Sequence, residues 1–132
     1  MVTENNVIAF SAYRSASQSL PASTIVHFDK LWTNIGNGYN PNTGIFTAPR
    51  SGLYHFTSVV VSGSETLYLR LFHNDTIEVS SLIRIQYDTG SFDVLLSLVK
   101  RDAVSIKSSG SYEIFSNSNN YISFSGYIIK YI

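Results

Sequence analysis

The chain of 132 residues contains no cysteine, three prolines and a single tryptophan, and it is poor in charge. Without cysteine, disulfides and thiolate metal sites are excluded. A domain of this kind working outside the cell must be held by its core and by contacts between subunits. Charged residues make up 14% of the chain, against about a quarter of an ordinary soluble protein. Solubility therefore leans on Ser, Thr and Asn. Lys+Arg and Asp+Glu stand at 9 each, and the basic residues are scattered, so no nucleic-acid partner is expected. No run approaches the roughly 18 consecutive apolar residues of a membrane span, and no membrane insertion is expected. The opening Met1-Val2-Thr3-Glu4-Asn5-Asn6 is polar and acidic rather than basic and then apolar, so no signal peptide is read in this chain. Residues 1–6 read as an N-terminal tail and residues 7–132 as one globular domain.

A long helical period is also missing. Apolar residues alternate or come in short runs between turn formers, as in an all-β sandwich. Strands are expected at Val7–Tyr13, Thr24–Phe28, Leu31–Ile35, Gly44–Thr47, Leu53–Ser62, Glu65–His73, Thr76–Gln86, Phe92–Val99, Ala103–Lys107 and Tyr121–Tyr131. Alternation places Ile8, Phe10 and Ala12 on one face. It does the same for Val26 and Phe28, for Leu67, Leu69 and Leu71, and for Tyr54, Phe56, Ser58 and Val60. Gly36–Asn42, Pro49–Gly52, Asn74-Asp75 and Asp88–Gly90 read as turns. Ser108–Asn120 reads as a polar stretch.

Three runs are apolar on both strand faces: Val59-Val60-Val61, Val94-Leu95-Leu96 and Tyr127-Ile128-Ile129. A sandwich strand normally keeps one face wet. In a chain without helices, the second apolar face calls for cover from another copy.

From Phe28 onward a spaced pattern emerges. Phe28, Asn34, Tyr39, Phe46, Gly52, Tyr54 and Phe56 are separated by five, four, six, five, one and one residues. With Ile8–Ala12 before it and Asp102–Ile106 and Phe124–Tyr127 after it, this pattern resembles the complement C1q globular-domain family of the C1q/TNF superfamily, over about Val7–Ile132. It resembles the collagen-less invertebrate C1q-domain proteins. The resemblance implies a ten-stranded jelly-roll β-sandwich, a homotrimer and secretion. Two departures stand out. Ser58 occupies a position where the family carries an aromatic residue. The segment Tyr87–Phe92 is shorter than the acidic loop that binds calcium in some relatives, with only Asp88 and Asp93 nearby. Calcium wants six to eight oxygens, so no cofactor is expected, and calcium is the one ion the resemblance would bring. The aromatic positions read as core that joins the two sheets, and Gly52 as a place of turn freedom or close approach.

No catalytic motif is present, and His27, His55 and His73 fall on different strands without metal-ligand spacing, so neither an enzyme nor a metal site is expected. Asn74-Asp75-Thr76 is a glycosylation acceptor pattern in a hairpin turn, which makes Asn74 a candidate for modification. Two loops are candidates for ligand binding. Gly110–Tyr121 offers Tyr112, Asn117, Asn119, Asn120 and Tyr121, and Gln86–Gly90 offers Tyr87 and Asp88. Aromatic rings suit the apolar face of a sugar, while amides and carboxylates suit its hydroxyls. The expected function is innate-immune pattern recognition, a lectin-like homotrimer binding microbial carbohydrate or lipopolysaccharide. The alternative is a receptor-binding signalling ligand of the cerebellin or adipokine-like type.

Overall fold

The computed structural model describes residues 6–132. Within these residues there is no helix, and twelve strands pair antiparallel throughout. They are β1 Ala9–Arg14, β2 Gln18–Leu20, β3 Lys30–Ile35, β4 Tyr39–Asn40, β5 Ile45–Thr47 and β6 Gly52–Val61. Then come β7 Leu67–His73, β8 Thr76–Ile83, β9 Thr89–Leu98, β10 Ala103–Ser108, β11 Tyr112–Ile114 and β12 Ile122–Tyr131. The first sheet runs β3-β1-β12-β6-β9 and the second β4-β5-β10-β7-β8, while β11 and β2 form a separate ribbon. Two five-stranded sheets face to face make the ten-stranded jelly-roll that the resemblance implies.

Alternation decides what lies between the sheets. Tyr54, Phe56, Ser58 and Val60 on β6 all point inward and are buried, as do Leu67, Leu69 and Leu71 on β7. The rings of the spaced pattern meet there. Phe10 stacks on Tyr39 at 4.8 Å and on Phe46 at 5.1 Å, and Phe124 meets Phe10 edge-on at 5.0 Å. Offset and edge-to-face pairs of this kind add to the gain from burying the rings. Tyr39 satisfies its hydroxyl by donating to the Phe28 carbonyl at 2.8 Å, and burial pushes its phenol well above the usual range. Asn34 clamps the turn between β3 and β4: its Nδ2 donates to the Tyr39 carbonyl and its Oδ1 accepts the Tyr39 N–H. Gly52 is a close approach, since a Cβ there would stand 2.6 Å from the Lys130 carbonyl oxygen. Ser58, where an aromatic was the pattern, is buried and donates to the Ser123 carbonyl at 2.8 Å, so its hydroxyl is satisfied.

Most strand boundaries shift by one to three residues from the sequence expectation, but four differences are substantive. Thr24–Phe28 is not a named strand. It runs beside β10 through one bridge, Ile25 to Lys107, and through Val26 N–H to the Ile106 carbonyl. Val26 and Phe28 are nonetheless buried. The turn expected at Asp88–Gly90 comes earlier, because Tyr87 takes a φ of 68° and Thr89 and Gly90 already pair with Val61 and Val60. Accordingly β8 ends at Ile83 rather than at Gln86. The stretch read as polar, Ser108–Asn120, contains β11, and β11 pairs with a second unforeseen strand, β2. Finally, Tyr39 and Asn40, inside a run of turn formers, pair with Phe46 and Ile45.

Candidate functional site

The C-terminal end of β6 gathers three segments. Ser62, fully buried, receives the Tyr87 N–H on its carbonyl at 2.8 Å and gives its own N–H to the Asp88 carbonyl at 3.0 Å. That pins the β8–β9 turn. Beyond β11 the chain continues along the same end of β6, with Ser62 bridged to Ile114 and the Phe115 N–H on the Val61 carbonyl at 2.9 Å. Ser116 holds the third segment: its Oγ donates to the Arg14 carbonyl and accepts the Tyr121 N–H.

Three aromatic rings converge as a result. Tyr87 meets Phe115 edge-on at 5.0 Å, and Phe115 stacks on Tyr121 at 5.8 Å. With Val61 and Thr89 they line a cleft of about 390 Å³. Tyr87 and Tyr121 are 60% and 46% exposed, an uncommon state for two large rings that share a wall. No lining residue carries a charge. The cleft can therefore take a neutral group with an apolar face and has nothing to hold a phosphate or carboxylate.

The structure thus unites one tyrosine from each of the two candidate loops, and Phe115, which joins them, was not singled out in the sequence. Asn119 stands at the rim, with its Nδ2 3.5 Å from the Tyr121 hydroxyl. The other candidates serve elsewhere. Asn117 accepts the Asn119 N–H, and Asn120, at φ 58°, accepts from the Ser15 hydroxyl, so both amide oxygens help to hold the loop. Tyr112 sits on β11 against the core and lines a different groove, with Ser19, Pro21 and Ser64. Asp88 contributes its carbonyl to the Ser62 N–H, while its residue is exposed and does not line the cleft.

Asp88 and Asp93 do not make a shared calcium site. Five residues of extended chain put them roughly 16 Å apart, and Asp93 is paired with His55 at 2.6 Å on the outer face of the first sheet. Asn74 stands exposed at the tip of the β7–β8 hairpin, where an acceptor for a glycan must be. Its amide is already engaged, donating to Asp102 at 3.2 Å and accepting the Ala103 N–H at 2.8 Å.

The same corner carries His73, with Nε2 2.7 Å from Asp102 and Nδ1 3.2 Å from Glu78. Burial pushes the imidazole pKa down, but the hydrogen bonds and charges of Asp102 and Glu78 outweigh it and hold it above the usual 6.5. The hydrogen bond from His73, helped by the Val99 N–H, holds the Asp102 carboxyl below the usual 3.8. The raised imidazole contributes stability that is complete below pH 6.5 and is lost as pH rises through its folded value. The lowered carboxyl contributes stability present above pH 3.8 and lost as pH falls through its own folded value. Thermal melts of the wild type and of His73→Gln are therefore expected to differ more at pH 5.5 than at pH 8.5. Equal differences at both pH values would remove the ion-pair account.

Comparison with known proteins places this arrangement. A family model described as the C1q domain matches residues 9–129. Among solved structures, the globular domain of zebrafish complement 1qA protein superposes with a TM-score of 0.77 at 22% identity, covering 95% of this chain and 99% of that one. The Eiger TNF of S. frugiperda gives 0.73 at 10% identity, covering 96% and 94%. Murine APRIL gives 0.70 at 10% identity, covering 93% and 99%. At these identities the structural likenesses show the fold alone.

Proposed function

Because the chain belongs to the C1q domain family, we propose that it is a secreted, non-catalytic recognition protein whose homotrimer binds microbial carbohydrate through the Tyr87–Phe115–Tyr121 cleft. The observation that carries this reading is the uncharged three-ring wall at the end of β6. A pyranose offers a C–H face that aromatic rings cover well, and its hydroxyls need donors and acceptors at the rim. Asn119 and Thr89 stand in position to supply them. The absence of charge among the lining residues points to neutral sugar units, including those of lipopolysaccharide, rather than to its phosphates.

A glycan array with the intact protein should give binding to neutral glycans that a chelator does not remove. Tyr87→Ala and Tyr121→Ala are each expected to weaken it about tenfold, the worth of one well-placed ring. Both tyrosines are exposed, so the melting temperature should hardly move. Binding that survives the double substitution would move the site elsewhere, and silence on every glycan would end the lectin reading.

One observation favours the signalling-ligand alternative. Ile77, Leu82 and Ile85 lie exposed on the edge strand β8 and the turn after it, an apolar strip suited to a protein surface. Capture of a receptor ectodomain that ignores added sugars and fails in Leu82→Asp would support that reading over the first.

A further inference from the structure

The outer face of the second sheet carries a pair of cations without carboxylate partners. Arg70 on β7 and Lys107 on β10 stand directly opposite in the strand register. Like charges placed so are destabilising. Neither forms an ion pair among the described residues, and the surrounding outward positions, Tyr68, Phe72, Ser80, Ser105 and Leu82, are neutral. Glu78, the extra residue of β8 opposite Phe72, is engaged with His73 rather than with either cation. Each cation is also seated. The Arg70 guanidinium lies 4.9 Å over the Tyr68 ring, and the Lys107 ammonium 4.6 Å over the Phe72 ring. Arg70 also lies 3.5 Å from the Tyr68 hydroxyl. Stacking on a ring fixes a long side chain that would otherwise sample many rotamers, and it leaves most donors of the head group available to a ligand.

The two seats point in opposite directions along β7, because Tyr68 and Phe72 are four residues apart on one strand. Four residues of strand span roughly 13 Å. Seats spaced along the strand suit a chain with anionic groups at intervals, provided it runs along β7. We propose that this face is a second recognition site, taking an extended polyanionic polysaccharide whose successive anionic groups pair with Arg70 and Lys107. The hydroxyls of Tyr68 and Ser80 and the apolar flank of Leu82 suit the sugar rings between the charges. A single-stranded nucleic acid fits less well, since its bases need open aromatic faces to stack on and both rings of this face lie under the cations. The site lies on the opposite side of the sandwich from the exposed apolar positions of the first sheet, so one face can meet other copies while the other meets ligand.

The test is retention of the intact protein on a column of heparin, a sulfated polysaccharide, eluted with salt. Retention should exceed that on the same polysaccharide stripped of sulfate and should weaken as salt rises. Arg70→Gln with Lys107→Gln is expected to lower heparin affinity about tenfold or more, the worth of charge-assisted contacts. Lys30→Gln with Lys130→Gln, which removes two bases from the first sheet, should leave it nearly unchanged. Equal losses in the two double variants would mean diffuse charge attraction and would overturn the site. So would a wild type that elutes at the same salt from sulfated and desulfated material, or one that binds a single-stranded oligonucleotide more tightly than heparin. Melting temperatures of the variants check that the fold stands. Binding of neutral glycans in the cleft at the end of β6 is read separately and is expected to be unaffected in both.

Discussion

Phe124→Ala is expected to cost about 3–5 kcal/mol of stability, the range for deleting a fully buried phenylalanine. Phe124 is wholly buried near the start of β12 and touches four other rings. It lies 5.0 Å from Phe10, 5.7 Å from Phe28, 6.1 Å from Tyr39 and 6.2 Å from Phe56. Those rings belong to both sheets and to the segment beside β10. Phe10, Tyr39 and Phe56 are held by their strands and Phe28 by the Tyr39 hydroxyl on its carbonyl, so they close over the void only in part, and both the lost transfer energy and the cavity count. The opposite change two residues on tells the same story. A Cβ on Gly126 would fall 2.6 Å from the Phe56 ring and 2.7 Å from the Phe10 ring. Gly126→Ala should therefore destabilise through crowding where Phe124→Ala does so through emptiness. For a domain of this size the loss in Phe124→Ala corresponds to a fall in melting temperature on the order of 10 °C. A fall of only a degree or two would mean that the aromatic cluster is not the element that joins the sheets.

This core was legible because strand alternation is a strict period. Tyr54, Phe56, Ser58 and Val60 share a face in any strand that contains them without a bulge, and β6 pairs with β9 in unbroken register. The spaced aromatic pattern then carried the fold class and, with it, the two-sheet arrangement. What alternation could not reveal is pairing that depends on partners far along the chain. Gln18–Leu20 and Tyr112–Ile114 are each three residues long, too short to show a period, and they become strands because they find each other. Ile114, fully buried within a polar stretch, was the one signal available there. The same limit governs the site. Tyr87 and Tyr121 could be picked out as exposed aromatics on turns, but nothing local says that both lean on Phe115. That contact follows from Ser62, whose two backbone hydrogen bonds hold the β8–β9 turn and whose bridge to Ile114 brings up the other segment. Asparagine suits a sugar hydroxyl and a tight turn equally well, and in Asn117 and Asn120 the amide oxygens are given to holding the loop.

Leu95→Glu is expected to turn the trimer we propose into single copies and to lower binding to a glycan-coated surface by roughly two to four orders of magnitude. The register of the first sheet sets Ile35, Ala9, Tyr127, His55 and Leu95 in one row across all five strands. Leu95 is 56% exposed, Ile35 52% and Tyr127 48%, and Val59 and Ile129 add to the same sheet. The next row, Thr33, Ser11, Ser125, Thr57 and Asp93, is polar. Leu95, Tyr127, Val59 and Ile129 are the outward members of the runs that the sequence showed to be apolar on both faces. The inward members, Val60, Leu96 and Ile128, are in the core, so the outward ones are left uncovered by the described residues. A carboxylate at Leu95 would have to lose its water at a subunit boundary, beside Asp93 on the same strand face, and a three-fold assembly would suffer the cost three times. Light scattering would then report about 14.7 kDa rather than three times that mass. The cleft at Val61 lies six residues along β6 from His55, the partner of Leu95, roughly 20 Å away. Affinity for a free oligosaccharide, measured one site at a time, should therefore stay as it was while binding to the coated surface collapses. An unchanged mass in Leu95→Glu would clear this row of any part in assembly. A loss of single-site affinity equal to the loss of surface binding would show that multivalency is not the source of the protein's hold on its target.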